Sequence, residues 1–181
     1  MNIIARKGLR RANSIRKKYF GGYLMQNRIK LLNHFNIKTI LDVGANTGQF
    51  AYYTRKFGYR NTIISFEPLS SAFAILKDFS KNDSKWEVVN SAIGDIDGEI
   101  EINISENSQS SSILDMMPGH VKSAPDSAYT GKEKVKIQKI DTVISNYSDN
   151  LKNTFLKIDT QGFEKKVLDG AEKSLKKLKG L

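Results

Sequence analysis

The chain has 181 residues, with 29 bases against 19 acids, two histidines and no cysteine. That length suits one domain with a substantial core, and the composition excludes a disulfide framework, thiolate metal ligation, a cysteine nucleophile and a histidine-built metal cluster. Its longest apolar runs are four to six residues, far short of a membrane span, and the basic start lacks the apolar stretch of a secretory signal; a cytoplasmic setting is expected.

Charge is distributed unevenly. Residues 1–38 hold ten of the bases and no acid, so the remaining 19 bases balance all 19 acids. The basicity belongs to an N-terminal helical segment, 1–37, ahead of a neutral domain, 38–181. In that segment Ile4, Leu9, Ala12, Ile15 and Tyr19 space out a basic amphipathic helix over 3–20, which Gly21-Gly22 ends. A second helix is predicted over 23–35 on Met25, Ile29, Leu32 and Phe35. Two helices beside a sheet edge, with solvated cations outside, is the plain reading; the sharper one is peripheral contact with anionic membrane lipid or an acidic protein. Nucleic acid is not expected as a partner, because no stacking aromatics are interleaved with the charges.

The domain opens on Ile40-Leu41-Asp42-Val43-Gly44-Ala45-Asn46-Thr47-Gly48. An apolar strand passes through a glycine-bearing turn into a helix marked by Phe50, Tyr53 and Phe57, the layout of a nucleotide-binding βα unit. Thr62 to Phe66 reads as a second strand, ending at Glu67-Pro68. Ser70 or Ser71 can cap the next helix, whose inner face is predicted as Phe73, Leu76 and Phe79. Trp86 to Val89 gives a third strand, and the β-α-β-α-β order implies a parallel sheet with right-handed crossovers.

The pattern then changes. Ile100, Ile102 and Ile104 alternate with polar residues, as do Val135 and Ile137, so an inserted antiparallel pair is predicted with lysines facing glutamates. The 28 residues from 105 to 132 between them are mostly polar, and a loop of that length is mobile or functional. Phe155 to Asp159 returns to the central-strand pattern. After Thr160-Gln161-Gly162, a long helix is predicted on Phe163, Val167, Leu168, Ala171, Leu175 and Leu178. In a sheet ordered 3-2-1-4 that fourth strand would be an edge, yet it is apolar on both faces. Later strands are therefore expected to be missing from a truncated C-terminus, and the open edge to favour self-association.

Parallel sheets bind ligands at the carboxyl ends of their strands, where Asp42, Glu67 and Asp159 fall. Gly44 and Gly48 let backbone approach a ligand. Glu67 lies where a carboxylate can accept ribose hydroxyls, which suits NAD or S-adenosylmethionine. A dinucleotide site wants glycine where Asn46 stands, and Asp42 would repel its pyrophosphate. The zwitterionic, phosphate-free methyl donor fits that charge better, leaving an NAD-dependent oxidoreductase as the weaker alternative.

The motifs Asp-Val-Gly-Ala-Asn-Thr-Gly at 42–48, Phe-Glu-Pro at 66–68, Ser-Ala-Ile-Gly-Asp at 91–95, Leu-Lys-Ile-Asp-Thr-Gln-Gly-Phe-Glu at 156–164 and Val-Leu-Asp-Gly-Ala at 167–171 resemble the FkbM family of class I methyltransferases. The resemblance runs from about residue 38 to 181. It implies an α/β, Rossmann-like class I methyltransferase sheet and S-adenosyl-L-methionine as cofactor. The implied reaction is methyl transfer to a hydroxyl of a sugar, glycan or polyketide-like small molecule. The cofactor-binding set it implies is Asp42, Gly44, Ala45, Asn46, Gly48, Glu67, Pro68, Ser91, Ala92 and Asp159. In that set the first turn holds the amino-acid end, Glu67 the ribose, and Ser91-Ala92 lie along the adenine. Asp159 should also face the methyl group and the incoming oxygen. Gln161 departs from the glutamate that many relatives carry there.

An alcohol loses its proton during or after attack, so a base is useful; the candidates are Asp159, His120 and Glu164. His120 also reads as a solvated loop histidine, and Glu164 as a carboxylate complementing a helix N-terminus. His34 reads as part of the N-terminal helix. Three scattered carboxylates do not make a metal site, so none is expected. If later strands are absent, the alternative is a truncated, non-catalytic cofactor-binding module.

Overall fold

The computed structural model describes residues 23–105, 129–147 and 151–181. The helix predicted over 3–20, most of the polar loop and His120 lie outside the described residues. In chain order the elements are helix α1 through residues 23–34, β1 (Thr39–Val43), α2 (Gln49–Lys56), β2 (Thr62–Phe66), α3 (Ser70–Ser80), β3 (Trp86–Val89), β4 (Ala92–Ile93), β5 (Gly98–Ser105), β6 (Tyr129–Gln138), α4 (Ile140–Val143), β7 (Thr154–Ile158), α5 (Glu164–Asp169) and α6 (Glu172–Leu175). Among the described residues no helix is long and apolar enough to cross a membrane.

Two sheets form the frame. The first is parallel, ordered β3-β2-β1-β7, which is the expected order with β7 as its fourth strand. Alternation along its strands sends two sets of side chains to opposite faces. On one face Ile40, Ile63 and Trp86 pack with Ala51 of α2, Leu76 of α3, and Ile29 and Leu32 of α1. On the other, Leu41, Val43, Ile64, Phe66 and Leu156 meet Ile102, Val135 and Ile137 of the second sheet, together with Phe163 and Val167.

The second sheet is ordered β4-β6-β5. The antiparallel pair has the expected register, with Glu99 opposite Lys136 and Glu101 opposite Lys134. Two residues of β4 add a short parallel strand beside β6. That strand carries Ala92 and Ile93 from the end of β3 across to the second sheet.

Several helix expectations are corrected. Phe35 and Phe79 are half-exposed rather than inward, as is Tyr53. Asn36 has φ 53°, and the turn it makes swings Phe35 outward while Ile37 takes the buried place. Neither Ser70 nor Ser71 caps α3; Leu69 is its N-cap, without a side-chain cap bond, and Ser70 instead donates its amide to Glu133 at 3.0 Å. The long C-terminal helix is two short ones. A Cβ on Gly170 would lie 1.8 Å from the Gly94 carbonyl oxygen, so backbone packs on backbone there. The Gly170 carbonyl accepts from the Asp141 amide at 3.0 Å, and Asp141 restarts the helix by accepting from the amides of Lys173 and Ser174 at 3.0 and 2.8 Å.

The outer edge of β7 is partly engaged. Gly180 bridges Phe155 in parallel fashion, with Lys179 N donating to Thr154 O at 3.0 Å and Leu156 N to Gly180 O at 3.1 Å.

Candidate active site

The site grows from the ends of β1 and β2. As β1 finishes, the amides of Gly44 and Ala45 donate to the Phe66 carbonyl at 3.1 and 3.0 Å, which holds the turn against the end of β2. The next amide, Asn46, reaches Oε2 of Glu67 at 2.8 Å, while Oε1 accepts from the Leu69 amide at 3.0 Å. One buried carboxylate thus ties the first turn to the start of α3. Burial pushes the Glu67 carboxyl up, and the amides of Leu69 and Asn46 act against that. Asn46 takes the left-handed region, φ 51°, and its Oδ1 accepts from the Thr47 amide at 2.7 Å. Asparagine tolerates that conformation better than most residues.

A cavity of about 540 Å³ opens at these carboxyl ends, within the size range of small-molecule sites. Its floor is Val43, Gly44, Ala45 and Asn46. Phe66 to Leu69 and Ser91 to Ile93 form one wall, and Lys157, Asp159, Thr160, Gln161 and Phe163 another; Phe50 of α2 and Met25 and Arg28 of α1 close the side. The structure therefore brings Gly44, Ala45, Asn46, Glu67, Pro68, Ser91, Ala92 and Asp159 to one place. Asp42 and Gly48 do not line it.

Both glycines of the turn serve chain packing. Gly44 has φ +72°, and a Cβ there would stand 1.9 Å from the Asp159 carbonyl oxygen. A Cβ on Gly48 would meet Leu76 at 2.9 Å and Trp86 at 3.2 Å. What each glycine admits is a neighbouring segment of this chain.

Asp42 has no exposed surface. Its Oδ1 lies 2.9 Å from Nζ of Lys157, and its Oδ2 accepts from the Ser65 hydroxyl at 3.1 Å. Ser65 Oγ accepts in turn from the Trp86 indole N–H at 3.0 Å. A polar row, Lys157–Asp42–Ser65–Trp86, therefore crosses all four strands on one face of the sheet. Burial pushes the Asp42 carboxyl up, while Lys157 and Ser65 hold it down. Lys157 also donates to the Gly44 carbonyl at 3.1 Å and lies 3.8 Å from Asp159.

The other acids differ in kind. The Asp159 side chain is 63% exposed, on the cavity rim. Glu164 lies outside the lining; its Oε1 accepts from the Thr160 and Gly162 amides, both at 3.1 Å. Burial acts to raise the Glu164 carboxyl, and its backbone hydrogen bonds outweigh that and hold it below the ordinary range. Its oxygen is committed to the turn that opens α5.

Sequence reading passed over two cations of the site, Lys157 and Arg28. The signal for Lys157 was a lysine inside an otherwise apolar central strand, which needs a buried partner. Arg28 carried no comparable signal, since it sits among other bases in a basic segment.

The parallel order, the turn after β1 and the carboxylate after β2 facing a cavity define a Rossmann-like α/β methyltransferase fold. The profile of the methyltransferase FkbM domain matches residues 42–179. The chain belongs to the FkbM methyltransferase family. A comparison with curated proteins gave no match.

Proposed function

We propose that the domain is an S-adenosylmethionine-dependent O-methyltransferase acting on a hydroxyl of a sugar, glycan or polyketide-like molecule. The observation that carries the cofactor reading is Glu67. Each of its oxygens accepts one backbone amide, which leaves each a second acceptor site, and the residue lines the cavity. A carboxylate braced in this way suits two vicinal ribose hydroxyls. Leu69, Ala92 and Ile93 offer the apolar surface an adenine ring needs, and Gly44 to Asn46 supply a floor of backbone. The hydroxyl acceptor follows from the family resemblance.

The bound donor supplies an activated methyl group on sulfur; the remaining work falls to the chain. Glu67 orients through the ribose, and the wall from Ser91 to Ile93 excludes water from the base. In-line displacement depends on positioning, which supplies about 7–11 kcal/mol in favourable cases. Asp159, exposed on the rim, takes the proton the acceptor hydroxyl gives up.

Calorimetry with S-adenosylhomocysteine tests this reading. Wild type is expected to bind and Glu67→Ala to bind at least about tenfold more weakly, the loss of charge-assisted hydrogen bonds. Titration with NADH is expected to give no heat. Binding of NADH in preference, or no S-adenosylhomocysteine binding by folded wild type, overturns the reading. Mass spectrometry of glycan extracts, with and without the intact gene, identifies the acceptor.

A further inference from the structure

We propose that Arg28 and Lys157, each placed against the ring of Phe50, form the subsite for the α-carboxylate at the amino-acid end of the methyl donor. This rests on the cofactor reading above and names which groups of this chain take the donor's negative charge.

Three observations carry it. Arg28 and Lys157 come from elements at opposite ends of the chain, yet both line the cavity. The Arg28 guanidinium carbon lies 5.0 Å, and the Lys157 Nζ 5.4 Å, from the centroid of Phe50. They differ in satisfaction. Lys157 already has Asp42 at 2.9 Å, whereas Nη1 of Arg28 is buried with no hydrogen-bond partner among the described residues. A buried guanidinium nitrogen without a partner is costly unless something completes it. Burial also disfavours the Arg28 charge, with Asp42 opposing more weakly. A planar guanidinium held on an aromatic face presents a fork that a carboxylate matches in two hydrogen bonds.

Asp42 is thereby given a different part from that of a direct ligand. Fully buried and paired, it fixes Lys157 and leaves Arg28 as the cation of this corner without an ion-pair partner among the described residues. The competing explanation is that Arg28 merely stacks on Phe50 to pack α1.

A ligand pair separates the two. S-adenosylhomocysteine and S-adenosylthiopropylamine differ only by the carboxylate, and each is titrated calorimetrically into wild type, Arg28→Met and Arg28→Lys. Methionine keeps the stem on Phe50, lysine keeps the charge, and circular dichroism checks the fold of each. Wild type is expected to prefer the carboxylate-bearing ligand by about tenfold or more. Arg28→Met should erase that preference while leaving S-adenosylthiopropylamine affinity unchanged, and Arg28→Lys should restore part of it. Equal affinity of wild type for both ligands, or an equal loss for both in Arg28→Met, overturns the proposal and leaves the cofactor reading standing. Failure of folded wild type to bind either ligand overturns both.

Discussion

Nζ of Lys157 stands 2.9 Å from Oδ1 of Asp42, on adjacent strands at the same register. The aspartate side chain is wholly buried and the lysine 17% exposed. Removing one partner of such a pair leaves a stranded charge, which costs about 3–5 kcal/mol. Lys157→Met should lose stability of that order in urea denaturation. Adding Asp42→Asn should recover much of it, since no charge is then left alone. A double variant no more stable than Lys157→Met would show that the pair is not coupled.

Gly44 and Gly58 give a matched test of crowding. Both have positive φ, +72° and +107°, but a Cβ at 44 meets the Asp159 carbonyl oxygen at 1.9 Å and one at 58 meets nothing within 4 Å. Gly58→Ala should cost only backbone strain, about 1–2 kcal/mol. Gly44→Ala should cost clearly more and also weaken ligand binding, because relieving the clash moves the cavity floor. Equal melting temperatures for the two variants would contradict this.

Asp141 should show its contribution through pH. Burial acts to raise its carboxyl, but hydrogen bonds from Ser174 and Lys173 outweigh that and lower it. A lowered folded value means stability that is present above the ordinary aspartate value of about 3.9 and is lost as pH falls through the folded value. Asp141→Ala should cost roughly 1–2 kcal/mol at neutral pH, as for a lost helix cap. The gap between wild type and variant should close in denaturation curves taken at successively lower pH. A gap independent of pH would assign the loss to packing.

Asp159→Asn separates chemistry from binding. With the side chain on the rim, the variant should bind S-adenosylhomocysteine much as wild type does. Methyl transfer to a responsive glycan extract, followed with labelled donor, should fall by about 100-fold or more if the carboxylate takes the proton. Unchanged transfer would remove Asp159 from that role.

The parallel sheet was legible because each strand is a short apolar run closed by a turn, and the order follows from crossover rules. The antiparallel pair was equally plain from alternation. What could not be read were outcomes decided between distant segments. The break at Gly170 depends on the Gly94 carbonyl, and β4 is too short to leave a pattern. Asp42 was read as facing the ligand because its charge suits one. Its actual partner is 115 positions further along the chain, and only the register of β1 with β7 brings the two together. Tyr53 and Phe79 look like core by periodicity, but the buried residues of those helices are Ala51 and Thr54 in one and Ala72, Leu76 and Ser80 in the other.

Trp86 gives the molecule an optical handle of its own. It is the chain's single tryptophan, so intrinsic emission has one origin. The indole is hydrogen-bonded to Ser65 at 3.0 Å, which is bonded to Asp42 in turn, and its ring edge stands 3.2 Å from the place a Gly48 side chain would occupy. The fluorophore sits outside the cavity lining, beside Gly48, two residues beyond the last floor residue, Asn46. Movement of that turn, or loss of the Lys157 charge, should shift the emission spectrum of the unlabelled protein. Stopped-flow fluorescence could then time the turn's response to a ligand as it arrives.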